Sequence, residues 1–293
     1  MKQILASCNI PCNTNTKQIF CACQLAKSQK LSFSSSTSRV SHPLALVHSD
    51  LWGPAPILST TSARYFLLFV DDFSRFTWIY VLHSKDQVSS TFLKFKALVE
   101  TQFNLSIKNL QSDNGGEFKA LAPHLSKHGI HHQFSCPYTS EQNGRVERKI
   151  RHIVETDLSL LNTASLPFKF LTYAFQIVVH LINCMATPTL QHMSPFQILF
   201  HKLPDYRFFK TFSCLCYPYL RPYSSNKLLH RSAPCIFLGC ILSYKGYLCL
   251  HHSTNRIYIT RHVIFDESNF PFHSSTSLPS SSTSSNQLLP QLV

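Results

Sequence analysis

Glycine is scarce in this chain, with seven residues in 293. Two of the seven, Gly115 and Gly116, are adjacent and separate the carboxylates of Asp113 and Glu117 in the stretch SDNGGEF. Glycine lets a chain leave a strand sharply, with positive φ available, and it keeps side-chain bulk away from Asp113. The stretch therefore predicts either a place that a phosphate backbone approaches closely or an ordinary turn with a surface Glu117.

Acidic residues are also few, 14 against 27 lysines and arginines, so the formal net charge is +13. A strongly basic balance predicts an acidic polymer as the partner. The excess is greatest in residues 201–262, where Asp205 is the only acid and the net charge is +8. The nine basic residues there are Lys202, Arg207, Lys210, Arg221, Lys227, Arg231, Lys245, Arg256 and Arg261. Because solvated surfaces usually mix both signs, this segment favours nucleic acid as the partner.

The chain lacks a secretory start and an unbroken apolar run long enough to cross a membrane. Its first residues, MKQILASCNIPC, contain one lysine and a three-residue apolar run, too short for a signal peptide. The eleven cysteines are therefore expected to be reduced, buried thiols of an intracellular protein. The most apolar stretch, residues 170–186, contains Gln176, His180 and Asn183 and predicts a buried helix, with no membrane as partner.

Residues 44–162 alternate between strand and helix patterns. Strands are predicted over 44–52, 64–72, 75–84, 107–113 and 129–135, and helices over 86–103, 117–127 and 142–162. This order predicts an α/β fold with a mixed five-stranded sheet covered by helices.

The rest of the chain divides by composition. Residues 34–43 are a Ser-rich linker, and 163–209 continue as a helical extension packed on the core. Short strands separated by turns predict a small β-barrel over 210–272. Residues 273–293 are of low complexity and are expected to be disordered.

Three carboxylates occupy special places in the predicted core. Asp50 ends the first strand, Asp113 ends the fourth, and Glu147 lies in the first turns of the long helix. Adjacent strand ends and a helix start can converge on one point, because neighbouring strands lie ~4.8 Å apart. Three acids at one point repel one another unless a cation is present, and their hard oxygen ligands select Mg²⁺ or Mn²⁺.

Asp71 and Asp72 are acidic neighbours with another expected role. They belong to the turn of the hairpin formed by the second and third strands. Aspartate is common in turns because its carboxylate accepts backbone hydrogen bonds, so we do not expect either residue to be catalytic.

Several stretches along the chain carry a family resemblance. They are HSDLWGP (48–54), FVDDFSRFTWIY (69–80), QSDNGGEF (111–118), CPYTSEQNGRVERK (136–149), PDYRFFKTF (204–212), FLGCILSYKGYLCL (237–250) and RHVIFDE (261–267). Over about residues 20–272 the chain resembles the integrase of copia-type long-terminal-repeat retrotransposons. The resemblance implies an RNase H-like core whose D, D-x(~35)-E triad binds two divalent metals, here Asp50, Asp113 and Glu147. The interval from Asp113 to Glu147 holds 33 residues, and its shortfall is placed in the loop and helix of 118–130.

The chain departs from the family pattern at two places. The loop that normally resembles P-Q-Q-N-G-V-A-E-R reads TSEQNGRVER here, with Glu141 and Arg145 as new charges. The resemblance also implies a His-His-Cys-Cys zinc module, for which residues 1–33 offer only Cys21 and Cys23, one residue apart, with Cys8 and Cys12 as substitutes. Structural zinc sites usually need C-x(2–4)-C spacing, so we expect a truncated remnant of the module and an element fragment.

DNA contacts are expected beside Glu147 and on the C-terminal barrel. The candidates on the long helix and its preceding loop are Asn143, Arg145, Arg148, Lys149 and Arg151. A solvated helix face and a purely structural barrel are the alternatives.

The resemblance implies a polynucleotidyl transferase that processes DNA 3′ ends and joins them to target DNA with two Mg²⁺ or Mn²⁺ ions. The active form is expected to be a homo-oligomer. Residence in the nucleus follows only from the DNA substrate, and the cytoplasm is the alternative. A catalytically inactive nucleic-acid-binding remnant is one alternative. An RNase H-type nuclease is another, although the basic barrel has no role in it.

Overall fold

The computed structural model describes residues 25–27, 39–136, 139–223, 228, 230–241 and 245–273. All elements named below belong to the compact unit that begins at Arg39. The predictions for residues 1–24, 28–38 and 274–293, including the Ser-rich tail, fall outside the described residues.

The first sheet has five strands. They are β1 (Leu46–Trp52), β2 (Tyr65–Asp71), β3 (Thr77–Leu82), β4 (Asn109–Ser112) and β5 (His131–Phe134). The strand order is β3-β2-β1-β4-β5, with β1, β2 and β3 antiparallel and with β4 and β5 parallel to β1. The predicted mixed, RNase H-like sheet is therefore confirmed.

Six α-helices accompany this sheet in the described part of the chain. They are α1 (Gln87–Phe103), α2 (Gly116–Lys119), α3 (Ala122–Lys127), α4 (Gly144–Thr163), α5 (Leu171–Cys184) and α6 (Pro195–Phe200). The single helix predicted over 117–127 is two short helices, and Pro123 lies in the first turn of the second, where its missing N–H is tolerated. The helix predicted from residue 142 begins at Gly144, after a 3₁₀ turn over Ser140–Asn143.

Helices cover the sheet on both faces. Alternate side chains of β2 point to opposite faces, and both sets are buried. Phe66 stacks on Phe175 of α5, with ring centroids 4.2 Å apart, in the cluster that also contains α4. Phe69 points the other way and stacks on Phe95 of α1 at 4.1 Å. Helices α4 and α5 therefore lie on one face and α1 on the other, which explains the continuous apolar sequence of β2.

A second, antiparallel sheet follows the helices. Its strands are β6 (Leu215–Pro218), β7 (Cys235–Ile241), β8 (Gly246–His251), β9 (Arg256–Thr260) and β10 (Val263–Asp266), in the order β10-β6-β7-β8-β9. Within the described residues no strand ladder joins the outer strands β9 and β10. The predicted small barrel is thus a five-stranded antiparallel sheet.

Helix α5 lies between the two sheets, which is why it is apolar on most of its surface. Phe175 contacts the first sheet, and the side chain of Ile177 lies 3.3 Å from the position of a Cβ on Gly239 in β7. Gly239 has φ of +136°, so this close approach and this backbone angle both favour glycine.

The polar residue Asn183 has a structural use inside α5. Its Oδ1 accepts a hydrogen bond from Thr77 N at 2.9 Å, and its Nδ2 donates to Thr77 O at 2.8 Å. The side chain therefore satisfies the backbone at the start of the edge strand β3. In the described residues, no helix combines the length and the apolar character needed to cross a membrane.

The expectation of reduced, buried thiols is confirmed for most of the cysteines that the structure describes. All seven are free; Cys184, Cys214, Cys216, Cys235 and Cys249 are buried, and Cys136 and Cys240 are exposed. The buried thiols act as small apolar side chains.

Asp157 is an unusual member of the apolar core. It lies on the buried face of α4, one turn from Ile153 and one turn from Leu161, and its side chain is fully buried. Neither of its carboxylate oxygens has a hydrogen-bond partner in the structure. Burial raises the pKa of Asp157 to about 8, because an ionised carboxylate without a partner is unfavourable in an apolar core.

We expect this residue to make the folded chain less stable as pH rises from about 4 to about 8, by up to about 1.4 kcal/mol per pH unit. The folded pKa lies above the ordinary value of 3.8. The folded chain therefore keeps a proton that the unfolded chain has lost, and raising the pH favours unfolding. Urea unfolding of wild type and Asp157→Asn at several pH values measures the difference.

The variant should lack this part of the pH dependence. A matched control is Asp86→Asn, because Asp86 is exposed at the start of α1 and its side chain makes no capping hydrogen bond. If wild type and Asp157→Asn lose stability with pH at the same rate, Asp157 does not carry this effect.

Candidate active site

The pairing of β1 with β4 places two of the three predicted acids side by side. The strands are parallel, with Leu46 opposite Asn109 and His48 opposite Gln111. The same register, continued two residues further, brings Asp50 opposite Asp113, which directly follows β4. Neighbouring strands are ~4.8 Å apart, so the two carboxylates share one edge of the sheet.

Side-chain hydrogen bonds fix the start of α4, which carries Glu147 in its first turn. Asn143 Nδ2 donates to Ser49 O in β1 at 3.2 Å, and Gln111 Nε2 of β4 donates to Gln142 O at 2.9 Å. The residues that directly precede α4 are therefore attached to both strands that present the other two acids.

Asp50 responds to the other two acids electrostatically. Its pKa is raised to about 6, first by burial and next by the negative charge of Asp113. A hydrogen bond from the N–H of Leu51 lowers the pKa, and the charge of Glu147 raises it further. This carboxylate therefore lies in a half-buried place where additional negative charge is unfavourable.

The other two acids lie in a similar field. Burial is the main cause that raises the pKa of Asp113, and the charge of Glu117 adds to it. Burial also raises the pKa of Glu147, followed by the charge of Glu141, the new acid of the preceding turn. An ion pair with Arg151 was the alternative role for Glu147. In the described part of the chain the charged groups of the two side chains do not come within 4.0 Å of each other. The charge of Arg151 nevertheless lowers the pKa of Glu147.

The donor set suits a hard divalent cation. All three side chains offer carboxylate oxygens, the ligands that Mg²⁺ and Mn²⁺ prefer, and their mutual repulsion is relieved by a cation. Across the residues that the structure describes, however, no three His, Cys, Asp or Glu side chains are arranged so that they could hold a metal ion without moving. The chemistry of the three acids therefore suits a divalent cation, and their side chains would have to turn toward each other to coordinate one.

The two expectations for the adjacent glycines have different outcomes: side-chain space beside Asp113 is confirmed at Gly115, and positive φ is not found. The expectation of positive φ is wrong: Gly115 has φ of −63° and ψ of 149°, and Gly116 is also outside the left-handed region. A Cβ on Gly115 would lie 3.0 Å from the carboxylate of Glu117 and 3.1 Å from Oδ1 of Asp113, whereas one on Gly116 would meet nothing within 4 Å. A side chain at Gly115 would force the two carboxylates to shift by a few tenths of an ångström, whereas one at Gly116 would displace nothing.

The five residues predicted to contact DNA are divided by the structure. Arg148 and Arg151 are exposed on α4, and Lys149 is half-buried, with a pKa lowered to about 8 by burial and by Arg75. Asn143 is buried against β1, as described above, and Arg145 forms an ion pair with Asp72. Their role in DNA binding remains a prediction, for which Arg148 and Arg151 are the most accessible residues.

The expectation that Asp71 accepts backbone hydrogen bonds in the hairpin turn is confirmed. Its Oδ2 accepts from Ser74 N at 2.8 Å, and its Oδ1 accepts from Leu44 N at 2.9 Å. Asp72 accepts from Val40 N at 3.2 Å, but it also contacts side chains from other segments. The sequence pattern indicated the turn and missed these longer contacts.

The candidate zinc ligands Cys21 and Cys23, with Cys8 and Cys12, lie outside the described residues.

On the second sheet and the segment before it, the positive charge is partly paired. Lys202, Arg231, Lys245 and Arg261 are exposed and form no ion pair with any described residue. Arg256 lies over the rings of Tyr223 and Tyr258, and Lys227 is not among the described residues.

Two family models match the chain. The integrase core domain matches residues 40–140, and the retroviral polymerase SH3-like domain matches residues 214–278. The first contains Asp50 and Asp113, and the second contains the antiparallel sheet.

Known proteins are similar over most of the chain. The retrovirus-related Pol polyprotein from transposon RE2 of Arabidopsis thaliana is 48% identical over 274 residues, which is 93% of this chain and 19% of the polyprotein. The corresponding polyprotein from transposon TNT 1-94 of Nicotiana tabacum is 37% identical over 248 residues, 84% of this chain and 19% of that protein. A chain of the simian T-cell lymphotropic virus intasome, solved in complex with PP2A regulatory subunit B56 gamma, gives a TM-score of 0.49 at 16% identity and covers 85% of this chain and 87% of its own.

This chain thus spans about a fifth of the length of the plant polyproteins it matches. It contains an integrase core domain followed by a retroviral SH3-like domain, and it belongs to the integrase family of copia-type retrotransposon Pol polyproteins.

Proposed function

We propose that the chain is a polynucleotidyl transferase that processes the 3′ ends of retrotransposon DNA and joins them to target DNA. The observation that carries this proposal is the meeting of Asp50 and Asp113 on paired strands, where each further negative charge raises the pKa of Asp50. Glu147 completes the set from the helix whose start is attached to both strands.

In this reaction the three acids would hold two Mg²⁺ or Mn²⁺ ions. Bound there, the ions would supply Lewis-acid activation of the attacking water or 3′-hydroxyl and stabilisation of the departing oxygen. The chain itself would keep Asp50 and Asp113 on neighbouring strands and would present Glu147 from the first turn of α4, whose preceding residues are attached to both strands. No side chain is needed as a nucleophile, so we expect no covalent enzyme intermediate.

The proposed partner is DNA, bound at two places. Arg148 and Arg151 are exposed on the helix that carries Glu147, and the second sheet contributes exposed basic residues. Phosphates of the DNA backbone are the groups that such cations neutralise. We also propose that the active form is a homo-oligomer and that it acts in the nucleus, because its proposed target is chromosomal DNA.

A second candidate function is binding of nucleic acid without chemistry. Two observations favour it: within the described residues no ready-made metal group is found, and Glu141 adds negative charge next to Glu147. An inactive remnant would keep the basic surfaces and lose strand transfer, so the two candidates differ in one assay.

We expect Asp113→Asn and Glu147→Gln to lower strand transfer in Mn²⁺ by roughly 10²–10³-fold, because each removes a charged ligand that acts in the transition state. The assay uses the whole chain and labelled element-end DNA. Glu155→Gln is the matched control, because Glu155 is exposed on the same helix two turns further on and should leave the activity unchanged. Equal product from wild type and Asp113→Asn would leave only the binding function.

The two glycines provide a test of space at the site. Gly115→Ala should lower strand transfer by roughly tenfold, because the added methyl would push the Asp113 carboxylate by a few tenths of an ångström, and a full 1 Å misplacement costs about 10²-fold. Gly116→Ala should leave the rate unchanged and stabilise α2 by up to about 1 kcal/mol, since it enters open space in a helix. If both variants transfer strands at the wild-type rate, the contact of Gly115 with the two acids has no functional meaning.

The salt dependence of DNA binding tests the role of Arg148. Arg148→Gln should weaken binding to every sequence and reduce the slope of log K against log salt by about 0.9, the value for one phosphate contact. Lys94→Gln is the control, because Lys94 is exposed on α1, on the opposite face of the sheet from α4. An unchanged slope in Arg148→Gln would show that Arg148 does not contact a DNA phosphate.

A further inference from the structure

Asp72 is a buried carboxylate that connects four separate segments of the core. Its side chain is 1% exposed. Oδ2 accepts a hydrogen bond from Val40 N at 3.2 Å, ahead of β1. Oδ1 contacts His48 Nε2 at 3.2 Å and Arg75 Nη1 at 2.9 Å, and it forms an ion pair with Arg145.

Two of these partners are each two residues from a candidate catalytic acid. His48 precedes Asp50 on β1, and residues two apart in a strand point to the same face of the sheet. Arg145 precedes Glu147 in the first turn of α4. The side chain of Asp72, in the hairpin turn, therefore contacts both the strand that carries Asp50 and the helix that carries Glu147.

Charge makes this contact more than a surface ion pair. Asp72 lies between the guanidinium groups of Arg75 and Arg145, both of which are partly shielded from solvent. Without the carboxylate the two like charges would face each other, and breaking a buried pair in this way is strongly unfavourable. Loss of the carboxylate would therefore remove the ion pair that links the hairpin turn to the start of α4.

We propose that Asp72 is a positioning residue for the acidic site: its ion pair with Arg145 and its contact with His48 set the distance between Glu147 and Asp50. This rests on the proposed function, because it assumes that the acids bind a divalent ion together. Asp72 does not touch the reacting atoms.

Asp71 provides a matched control in the same turn. It is equally buried, but its carboxylate contacts Leu44 and Ser74, at the entrance of β1 and in the turn itself. Asp71→Asn should therefore lower stability without moving α4, whereas Asp72→Asn should change the site.

The experiment measures Mn²⁺ binding by water-proton relaxation enhancement on the whole chain, below the unfolding temperature of every variant. Mn²⁺ binding at the acidic site is defined as the binding that wild type shows and Asp113→Asn lacks. We expect Asp72→Asn and Arg145→Gln each to weaken this binding about ten- to a hundredfold, as loss of a group that orients metal ligands typically does. Asp71→Asn should change it less than about twofold. The double variant Asp72→Asn/Arg145→Gln should bind Mn²⁺ no more weakly than Asp72→Asn alone, because both substitutions remove the same ion pair.

The outcomes separate the two proposals. If wild type binds no Mn²⁺ that Asp113→Asn abolishes, the proposed catalytic function fails and the positioning role fails with it. If wild type binds Mn²⁺ and both Asp72→Asn and Arg145→Gln bind it equally well, only the positioning role is overturned. Should Asp72→Asn not fold, Arg145→Gln gives the answer, because it removes the same ion pair from a less buried residue.

Discussion

The parallel pairing of β1 with β4 brings Asp50 beside Asp113, and half-burial of these like charges makes their repulsion stronger than it would be in water. A folded chain keeps such an arrangement only if the surrounding contacts hold both strands in place. The apolar residues of β2 do this from the side, because they anchor β1's neighbour between helices on both faces of the sheet. The energy of the core thus maintains an electrostatically unfavourable edge, and a cation is the partner that would relieve it.

The third acid depends on a helix start that side chains hold in place. Asn143 reaches the backbone of β1, and Gln111 of β4 reaches the backbone of the 3₁₀ turn. Hydrogen bonds of this kind orient a helix more precisely than apolar packing alone, because they are directional. They place Glu147 next to the sheet edge, and α5 then packs along α4 and connects this core to the second sheet.

Much of this could be predicted from sequence, because it depends on local patterns. The period-two strands and the period-3.6 helices follow from chemistry that lies within one element, and so do acids close to a strand end or a helix start. Asp50, Asp113 and Glu147 could therefore each be proposed from the sequence. The contacts of Asn143 with Ser49 and of Asp72 with Arg145 join residues 94 and 73 positions apart, and no local pattern predicts such partners. The sequence therefore indicated Asn143 as a DNA contact and did not indicate its contact with β1.

Gly115 illustrates a different limit. Its presence predicted both backbone freedom and space beside Asp113, and the structure uses only the space, which the carboxylates of Asp113 and Glu117 occupy. A sequence does not distinguish a glycine needed for its φ from one needed for its size, because both appear as the same letter. Asp157 is a similar case, since its place in the helix pattern indicates burial but not the absence of a partner.

Asp50, Asp113 and Glu147 are proposed to form one cation site at the edge of the sheet. Anomalous diffraction from crystals grown with Mn²⁺ tests it most directly, because the metal is located without reference to activity. The account predicts anomalous peaks between the carboxylates of Asp50 and Asp113, with Glu147 turned toward them. Crystals that hold Mn²⁺ elsewhere, with the three carboxylates directed to separate surfaces, would contradict it.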